Sequence, residues 1–200
     1  MMDISLTDFV DFVIRSGSPK LTKVSEIKKR AEYQPAFDFW KPLRDGIISF
    51  HRSHKPNKNS LDVIVASIAD PKKIVSYPDS VQAYKKFLGR KRISWFDPPS
   101  AEWQPAGLRV RINPELGLNI NGIPHVIKLY FKKEDLSKKR VEIVLLLLQS
   151  TLRSRTKHSA QFGVLDVQRA KLFATSEADV TLLPLLKGEA LNFVTIWDSI

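Results

Sequence analysis

The 200-residue sequence predicts an α/β (α+β) fold, in which a central mixed β-sheet built on an antiparallel meander is flanked by helices and preceded by a helical region. Three observations support this prediction. Apolar residues recur at helical spacing in the first ninety residues, alternate with polar residues beyond residue 107, and dominate one helix-length segment between strand-like stretches. We expect a helical region at 1–90 and an α/β core at 91–200, which together form one compact unit.

The helical region contains five segments with helical spacing or helix-end signals. The predicted helices cover residues 4–15, 25–33, 37–52, 61–69 and 79–88. The first helix has Asp3 and Asp8 near its amino end, where the helix dipole stabilises a carboxylate. The last helix ends at Gly89, because glycine commonly terminates helices.

The core begins with a connector that is basic, then aromatic, then rich in proline, and it includes a short predicted strand at 93–96. Apolar and polar side chains then alternate through 108–121, which is typical of half-buried strands. Pro114 lies within this stretch. Since proline has no N–H to donate to a sheet ladder, we expect an edge, a bulge or a bend there.

The second half of the core alternates between helix and strand signals. Ser137 is the expected N-cap of a helix at 138–152, whose nearly continuous apolar surface indicates packing on a sheet. The stretches "FGVLDV" and "AKLFAT" predict two strands joined by a turn. A final helix is expected from about 179 to 197, with interruptions at Pro184 and Gly188.

The dipeptide "NG" at 121–122 is a strong hairpin signal, because a type I′ turn requires positive φ at both central residues. A two-residue turn there pairs Ile120 with Ile123. Continued outward, the same register places Ile112 opposite Phe131, so that the paired side chains on this face are almost all apolar.

The polar face of the same hairpin places Glu115 opposite Lys128. A cross-strand pair of this kind contributes up to about 1 kcal/mol and requires no function. The alternative is a functional patch flanked by Arg109 and Arg111. There the carboxylate could hold Mg²⁺ and the lysine could orient a water molecule or stabilise charge on a phosphate.

The formal net charge of +11 makes a polyanion a plausible partner. Phosphate contacts from Lys and Arg give binding that depends on salt and little on sequence. The expected nucleic-acid-binding residues are Arg109, Arg111, Lys132, Lys133, Lys138, Lys139 and Arg140. Further basic clusters are formed by Lys85, Lys86, Arg90, Lys91 and Arg92, and by Arg153, Arg155 and Lys157.

Other classes of protein are excluded or disfavoured by composition. The chain has no cysteine, which excludes disulfides, thiolate zinc sites and cysteine nucleophiles. The longest apolar run, "VEIVLLLLQ", is too short to span a bilayer, and no secretory signal is recognisable. We therefore expect a cytoplasmic protein that has no membrane partner.

The order of helix, strand meander, apolar helix and strand, together with Pro114-Glu115 and Lys128, resembles the restriction-endonuclease-like superfamily with its PD-(D/E)xK motif. The resemblance covers about residues 80–175. It implies that Glu115 is a metal-binding acid, that Lys128 is the catalytic lysine and that Mg²⁺ is the cofactor. The second acid of the motif, two residues before the lysine, is replaced here by Val126.

Two alignments with this family remain open. In some members the second acid lies on the following helix, where Glu142 is the only carboxylate, so the resemblance then implies a metal site formed by Glu115 and Glu142. In the other alignment, Asn121 takes the place of the first acid and both acids are missing.

The sequence therefore favours a protein that binds DNA or RNA through a restriction-endonuclease-like core and has weak or no nuclease activity. A single carboxylate is a poor Mg²⁺ site, because this ion requires dense oxygen ligation. One alternative is an active Mg²⁺-dependent nuclease. The other is a protein-interaction or scaffold module in which the pair of Glu115 and Lys128 is structural.

Overall fold

The computed structural model describes residues 2–30, 38–53 and 57–200, which form seven α-helices and eight strands. The helices are α1 Leu6–Val13, α2 Ser18–Lys28, α3 Lys41–Arg52, α4 Ser60–Ala66, α5 Pro71–Leu88, α6 Lys138–Leu152 and α7 Leu183–Ser199. The strands are β1 Met2–Ser5, β2 Ile93–Phe96, β3 Ala101–Trp103, β4 Leu108–Ile112, β5 Leu116–Ile120, β6 Ile123–Tyr130, β7 Gln161–Asp166 and β8 Lys171–Thr175.

The central sheet has the strand order β2-β5-β6-β7-β8. Strands β2, β5 and β6 form an antiparallel meander, α6 connects β6 to the parallel strand β7, and β8 returns antiparallel. A second sheet of three strands, β1-β4-β3, is also mixed, with β1 parallel and β3 antiparallel to β4. This architecture confirms the predicted fold class.

Two apolar clusters lie on opposite faces of the central sheet. Residues of α3, α4 and α5 pack with Leu118 and Ile127 on one face. Residues of α1, α6, α7 and β4 pack with Val126 and Phe162 on the other. Side chains of a strand alternate between faces, so neighbours such as Val126 and Ile127 belong to different clusters.

Elements with a strong local signal have the predicted bounds. Ser137 caps α6, and its hydroxyl accepts a hydrogen bond from the Arg140 N–H at 3.3 Å. Asn121 and Gly122 have φ values of 52° and 90°, and Ile120 pairs with Ile123 as expected for the two-residue turn.

The start of the chain differs from the prediction, because residues 2–5 form strand β1 and not the beginning of a helix. This strand pairs with β4, and α1 begins only after Ser5. The hydroxyl of Ser5 accepts from the Asp8 N–H at 3.0 Å, which fixes the helix start there. The second helix runs from Ser18 to Lys28, so it begins and ends earlier than the predicted 25–33, and Pro19 fits its first turn, where no N–H is needed. The predicted start of the third helix at 37 lies outside the described residues.

Two helices differ from the predicted bounds or continuity. Helix α5 begins at Pro71, where the Asp70 carboxylate caps the first turn, and it continues through Pro78. Helix α7 runs through Gly188 without interruption, and Pro184 lies in its first turn, where a missing N–H costs nothing.

The predicted hairpin ends earlier than its apolar pattern indicated. The last ladder pair is Leu116 with Ile127, and the chain then turns away at Pro114. Strand β4 pairs instead with β1 and β3, so Ile112 lies opposite Ala101 and not opposite Phe131. At Pro114, where a bend was expected, the chain therefore passes from the three-stranded sheet to the central sheet.

Among the described residues, no helix is both long enough and apolar enough to cross a membrane.

Candidate functional site

Glu115 lies where β4 and β5 separate, and its side chain contacts Lys128 as the hairpin register predicted. The Lys128 ammonium donates to the Glu115 carboxylate at 2.5 Å and to the Asn113 carbonyl at 3.3 Å. The second carboxylate oxygen accepts from the Leu129 N–H at 2.8 Å. Because β4 leaves the hairpin here, the Glu115 side chain bonds a backbone N–H beyond the last ladder pair.

The pair of Glu115 and Lys128 is largely buried. Their side chains are 11% and 14% exposed. Both carboxylate oxygens already accept a hydrogen bond, one of them charge-assisted and therefore strong. The arrangement satisfies both carboxylate oxygens and completes the end of the hairpin without any ligand.

This pair lines a cleft of about 1000 Å³ between the β1–α1 segment, α3 and the end of β2. The cationic side chains that line the cleft each contact a carboxylate that also lines it. The pairs are Arg30 with Asp8, Arg44 with Asp38, Arg52 with Asp97, Arg111 with Asp3, and Lys128 with Glu115. The cleft is therefore nearly charge-balanced, which is unlike a surface that attracts a polyanion.

The residues present do not fit a Mg²⁺ site. Across residues 2–30, 38–53 and 57–200, no three His, Asp or Glu side chains are grouped so that they could hold a metal ion. Glu142 lies in the second turn of α6, 3.7 Å from Lys138, and is not among the described residues that line the cleft. Glu115 alone offers too few oxygen ligands for an ion that requires near-octahedral coordination.

Two of the predicted nucleic-acid-binding residues are used inside the fold. Lys132 and Arg140 both contact the Asp11 carboxylate, at 2.8 and 2.5 Å, and the Arg140 side chain is only 8% exposed. Burial raises the pKa of Asp11, but hydrogen bonds from these two cations outweigh it and hold the pKa below its usual range.

A second buried carboxylate lies beside this one. Asp8 accepts from both Arg30 and Lys23, with distances of 2.9 and 3.0 Å. Burial raises the pKa of Asp8, but the Arg30 guanidinium and the Lys23 ammonium outweigh it and hold the pKa well below its usual range. The two carboxylates tie α1 to α2 and to the segment between β6 and α6.

The other predicted binding residues are distributed over the surface. Arg109 lies 3.3 Å from Glu102, Arg111 lies 3.2 Å from Asp3, and Lys138 contacts Glu142. Lys133 and Lys139 are exposed, and no carboxylate of the described residues lies within ion-pair distance of either.

A different set of cations converges on one surface, which we call the basic groove. Arg92 and Lys157 line one open compartment of about 430 Å³, and Arg155 and Lys157 line an adjoining one of about 260 Å³. Within the part of the chain that the structure describes, no carboxylate forms an ion pair with any of the three. The sequence clusters at 90–92 and 153–157 thus become neighbours.

Strand direction explains why these distant clusters meet. Strands β2, β6 and β7 run the same way, so their starts lie at one edge of the sheet. Arg92 directly precedes β2, and Lys157 shortly precedes β7. Helix α6 connects β6 to the parallel strand β7, and parallel strands begin at the same edge of a sheet.

Hydrogen bonds hold both sides of the basic groove in place. Asn121 at the hairpin tip accepts from the Arg92 N–H at 3.0 Å and donates its own N–H to the Arg92 carbonyl at 2.8 Å. Arg153 donates to the carbonyls of His158, Ala160 and Ser176, which fixes the loop that carries Arg155 and Lys157.

No protein-family model matches the chain, and no curated protein matches it. The fold and the two surfaces described above define an α/β protein with a charge-balanced cleft at one site and a basic groove at another.

Proposed function

We propose that this chain is a cytoplasmic nucleic-acid-binding protein with a restriction-endonuclease-like core and weak or no nuclease activity. One observation carries the proposal, namely the convergence of Arg92, Arg155 and Lys157 on one groove without ion-paired carboxylates in the described part of the chain. Such cations are available for phosphates, and their binding releases counterions. A reducing cytoplasm suits a chain that has no cysteine.

The connectivity supports the proposed relationship to restriction endonucleases. Helix α5 precedes the meander of β2, β5 and β6, and the apolar helix α6 then leads to the parallel strand β7. Glu115 and Lys128 lie on adjacent strands of this meander with their side chains in contact. This order and this contact are the features on which the resemblance rests.

The absence of a second acid supports loss of cleavage. Val126, which takes the position of that acid, is fully buried in the apolar cluster on the α6 face of the sheet. A carboxylate at that place would be desolvated without a partner, which is costly. Only Glu115 would remain, and its oxygens already bind Lys128 and the Leu129 N–H.

Binding is tested by fluorescence anisotropy with labelled DNA and RNA over a range of salt concentrations. We expect affinity at low salt, falling linearly with salt on a logarithmic plot. The double variant Arg92→Gln/Lys157→Gln should lower the affinity and reduce the slope by about 1.4 for single strands, since each contact contributes about 0.7.

The matched control is Lys72→Gln/Lys187→Gln, which removes the same charge from exposed positions on α5 and α7. It should leave affinity and slope nearly unchanged. Absence of binding at low salt, or an equal loss in both double variants, would contradict a role for the basic groove.

Cleavage is tested with Mg²⁺ and with Mn²⁺, comparing the protein with its Lys128→Ala variant. We expect no cleavage that depends on Lys128, because the described residues assemble no metal site. Metal-dependent cleavage that disappears in the variant would instead support the active nuclease. Equal cleavage by both proteins would indicate contamination or a different site.

An interaction module is the second candidate, favoured by apolar side chains exposed on α4 and α5. Val63 and Val75 are 65% and 75% exposed, and Ile74 is 48% exposed. Large exposed apolar patches commonly mark contact surfaces, and these side chains are candidates for one. Analytical ultracentrifugation of the protein and its Val75→Asp variant tests this, because association through α4 and α5 should weaken in the variant.

A further inference from the structure

The two compartments of the basic groove differ in chemistry. Asn119 and Lys157 line both compartments, so the two are continuous. The smaller one, of about 260 Å³, has apolar walls formed by Phe96, Pro99 and Pro124. The larger one, of about 430 Å³, is more open, and its lining includes the two cations Arg92 and Lys157.

The side chain of Asn119 has no hydrogen-bond partner among the described residues, although it is half-buried between the two compartments. Both polar atoms of this amide remain accessible to solvent and are available to a ligand. An amide offers both a donor and an acceptor, the combination that reads the edge of a nucleobase.

Asp97 also lines the small compartment, but its charge is already compensated. Its carboxylate accepts from Arg52 at 3.0 Å and from the Trp95 indole N–H at 3.3 Å. Arg155, on the opposite wall, donates to the Ser100 carbonyl at 2.9 Å and has no carboxylate partner in the described part of the chain. The groove therefore retains uncompensated positive charge.

Resting on the proposed nucleic-acid function, we infer that the basic groove binds single-stranded nucleic acid by accepting one unstacked base. The base occupies the small compartment against Phe96 and the prolines, and its edge meets the Asn119 amide. The phosphates of the same strand lie in the open compartment, where they contact Lys157 and Arg92. Aromatic and apolar walls beside cations are the combination used by proteins that bind single strands.

A duplex cannot use the small compartment in this way. Its bases are stacked and paired, so one of them would have to be flipped out at an energetic cost. A duplex still contacts the cations at the rim through its phosphates. The inference therefore predicts that the protein binds single-stranded nucleic acid more tightly than a duplex, in addition to binding nucleic acid at all.

The experiment compares labelled oligo-dT, oligo-U and a duplex of equal length by fluorescence anisotropy at one low salt concentration. We expect both single strands to bind at least about fivefold more tightly than the duplex, since base stacking is worth at least this factor. Asn119→Trp fills the small compartment without changing charge. It should lower single-strand affinity to the level of the duplex, so that the preference for single strands is lost.

Two further variants keep the test decisive. Asn119→Leu, whose side chain has the same number and branching of heavy atoms, removes the amide with little risk to the strand, and it carries the test if Asn119→Trp lacks a normal melting transition. Gln82→Trp places the same large side chain at an exposed position of α5 and should change neither affinity.

The outcomes separate the inference from the proposed function. The inference is overturned if the unaltered protein binds single strands and duplex equally well, or if the Asn119 variants have no effect. In either case, salt-dependent binding that is lost in Arg92→Gln/Lys157→Gln would still support the proposed function. Absence of all binding at low salt would overturn both.

Discussion

Replacing Glu115 tests whether its carboxylate is part of the fold or a vestigial metal ligand. The carboxylate accepts from the Lys128 ammonium at 2.5 Å and from the Leu129 N–H at 2.8 Å. Leu129 is 7% exposed and the Lys128 side chain 14% exposed, so water cannot fully replace a lost acceptor. If the role is structural, removal of the side chain should weaken the protein.

The expected magnitude follows from the groups that are left unpaired. In Glu115→Ala, a buried N–H without an acceptor costs about 1–3 kcal/mol, and a lysine without its counter-ion adds about 1 kcal/mol. We therefore expect a loss of about 2–4 kcal/mol in the free energy of unfolding. Glu115→Gln keeps an oxygen for the Leu129 N–H and should lose only about 1 kcal/mol.

The measurement is urea unfolding followed by circular dichroism, with EDTA present so that no metal contributes. Glu142→Ala is the matched control, because Glu142 is 45% exposed and only 3.7 Å from an exposed lysine. It should cost less than about 0.5 kcal/mol. A Glu115→Ala variant that is as stable as Glu142→Ala, or more stable than the unaltered protein, would refute the structural role.

Three other predictions concern buried charge and metal. Burial lowers the pKa of His51 from 6.5 to about 4, so as the pH falls the unfolded chain binds a proton before the folded protein does. The free energy of unfolding should therefore fall by about 3 kcal/mol between pH 6.5 and 4. His51→Phe should remove this dependence, as measured by urea titrations at several pH values. Asp11→Asn leaves the buried Arg140 unpaired and should cost about 3 kcal/mol. Because the pKa of Asp11 is lowered, its stabilisation is present above 3.8 and is lost as pH falls further, and the variant should lack this part of the acid transition. Millimolar Mg²⁺ should leave the Tm unchanged, since the described residues group no metal ligands; a rise that disappears in Glu115→Gln would contradict this.

Local signals predicted the elements that depend on local physics. The turn at Asn121 and Gly122 and the cap at Ser137 are set by backbone conformation and by neighbouring N–H groups, so the sequence contains the necessary information. Strands β1 and β3, with four and three residues, exist only because they pair with β4. No short window of sequence can indicate such pairing.

The start of the first helix was predicted wrongly, although the sequence contains the signal that places it. Ser5 and Asp8 are spaced as an N-cap and the third residue of the helix, and their side chains do bond each other at 2.8 Å. This spacing places the helix start after Ser5. The acidic residues near the chain start favoured an earlier helix, but Asp8 is instead a buried ion-pair partner of Lys23 and Arg30.

The candidate site was predicted in one part and missed in another for a physical reason. The contact of Glu115 with Lys128 follows from the hairpin register, which is a local property. Whether a cation is available for a ligand depends on which carboxylate folds against it. Lys132 and Arg140 meet Asp11, more than a hundred residues earlier, whereas Lys157 meets none in the described chain. A count of charges along the sequence cannot distinguish these cases.

The positions of the two surfaces imply that stability and binding can be altered separately. Glu115 and Lys128 complete the hairpin where β4 departs, in a cleft whose charges compensate one another. Arg92 and Lys157 lie before the starts of β2 and β7, and no described carboxylate pairs with them. Asp97 lines both the cleft and the small compartment, but the pair of Glu115 and Lys128 shares no hydrogen-bond partner with Arg92 or Lys157 among the described residues. Substitutions without shared partners have nearly additive effects. Substitutions at Glu115 should therefore lower stability while the salt slope of binding stays constant, and substitutions at Lys157 should do the reverse.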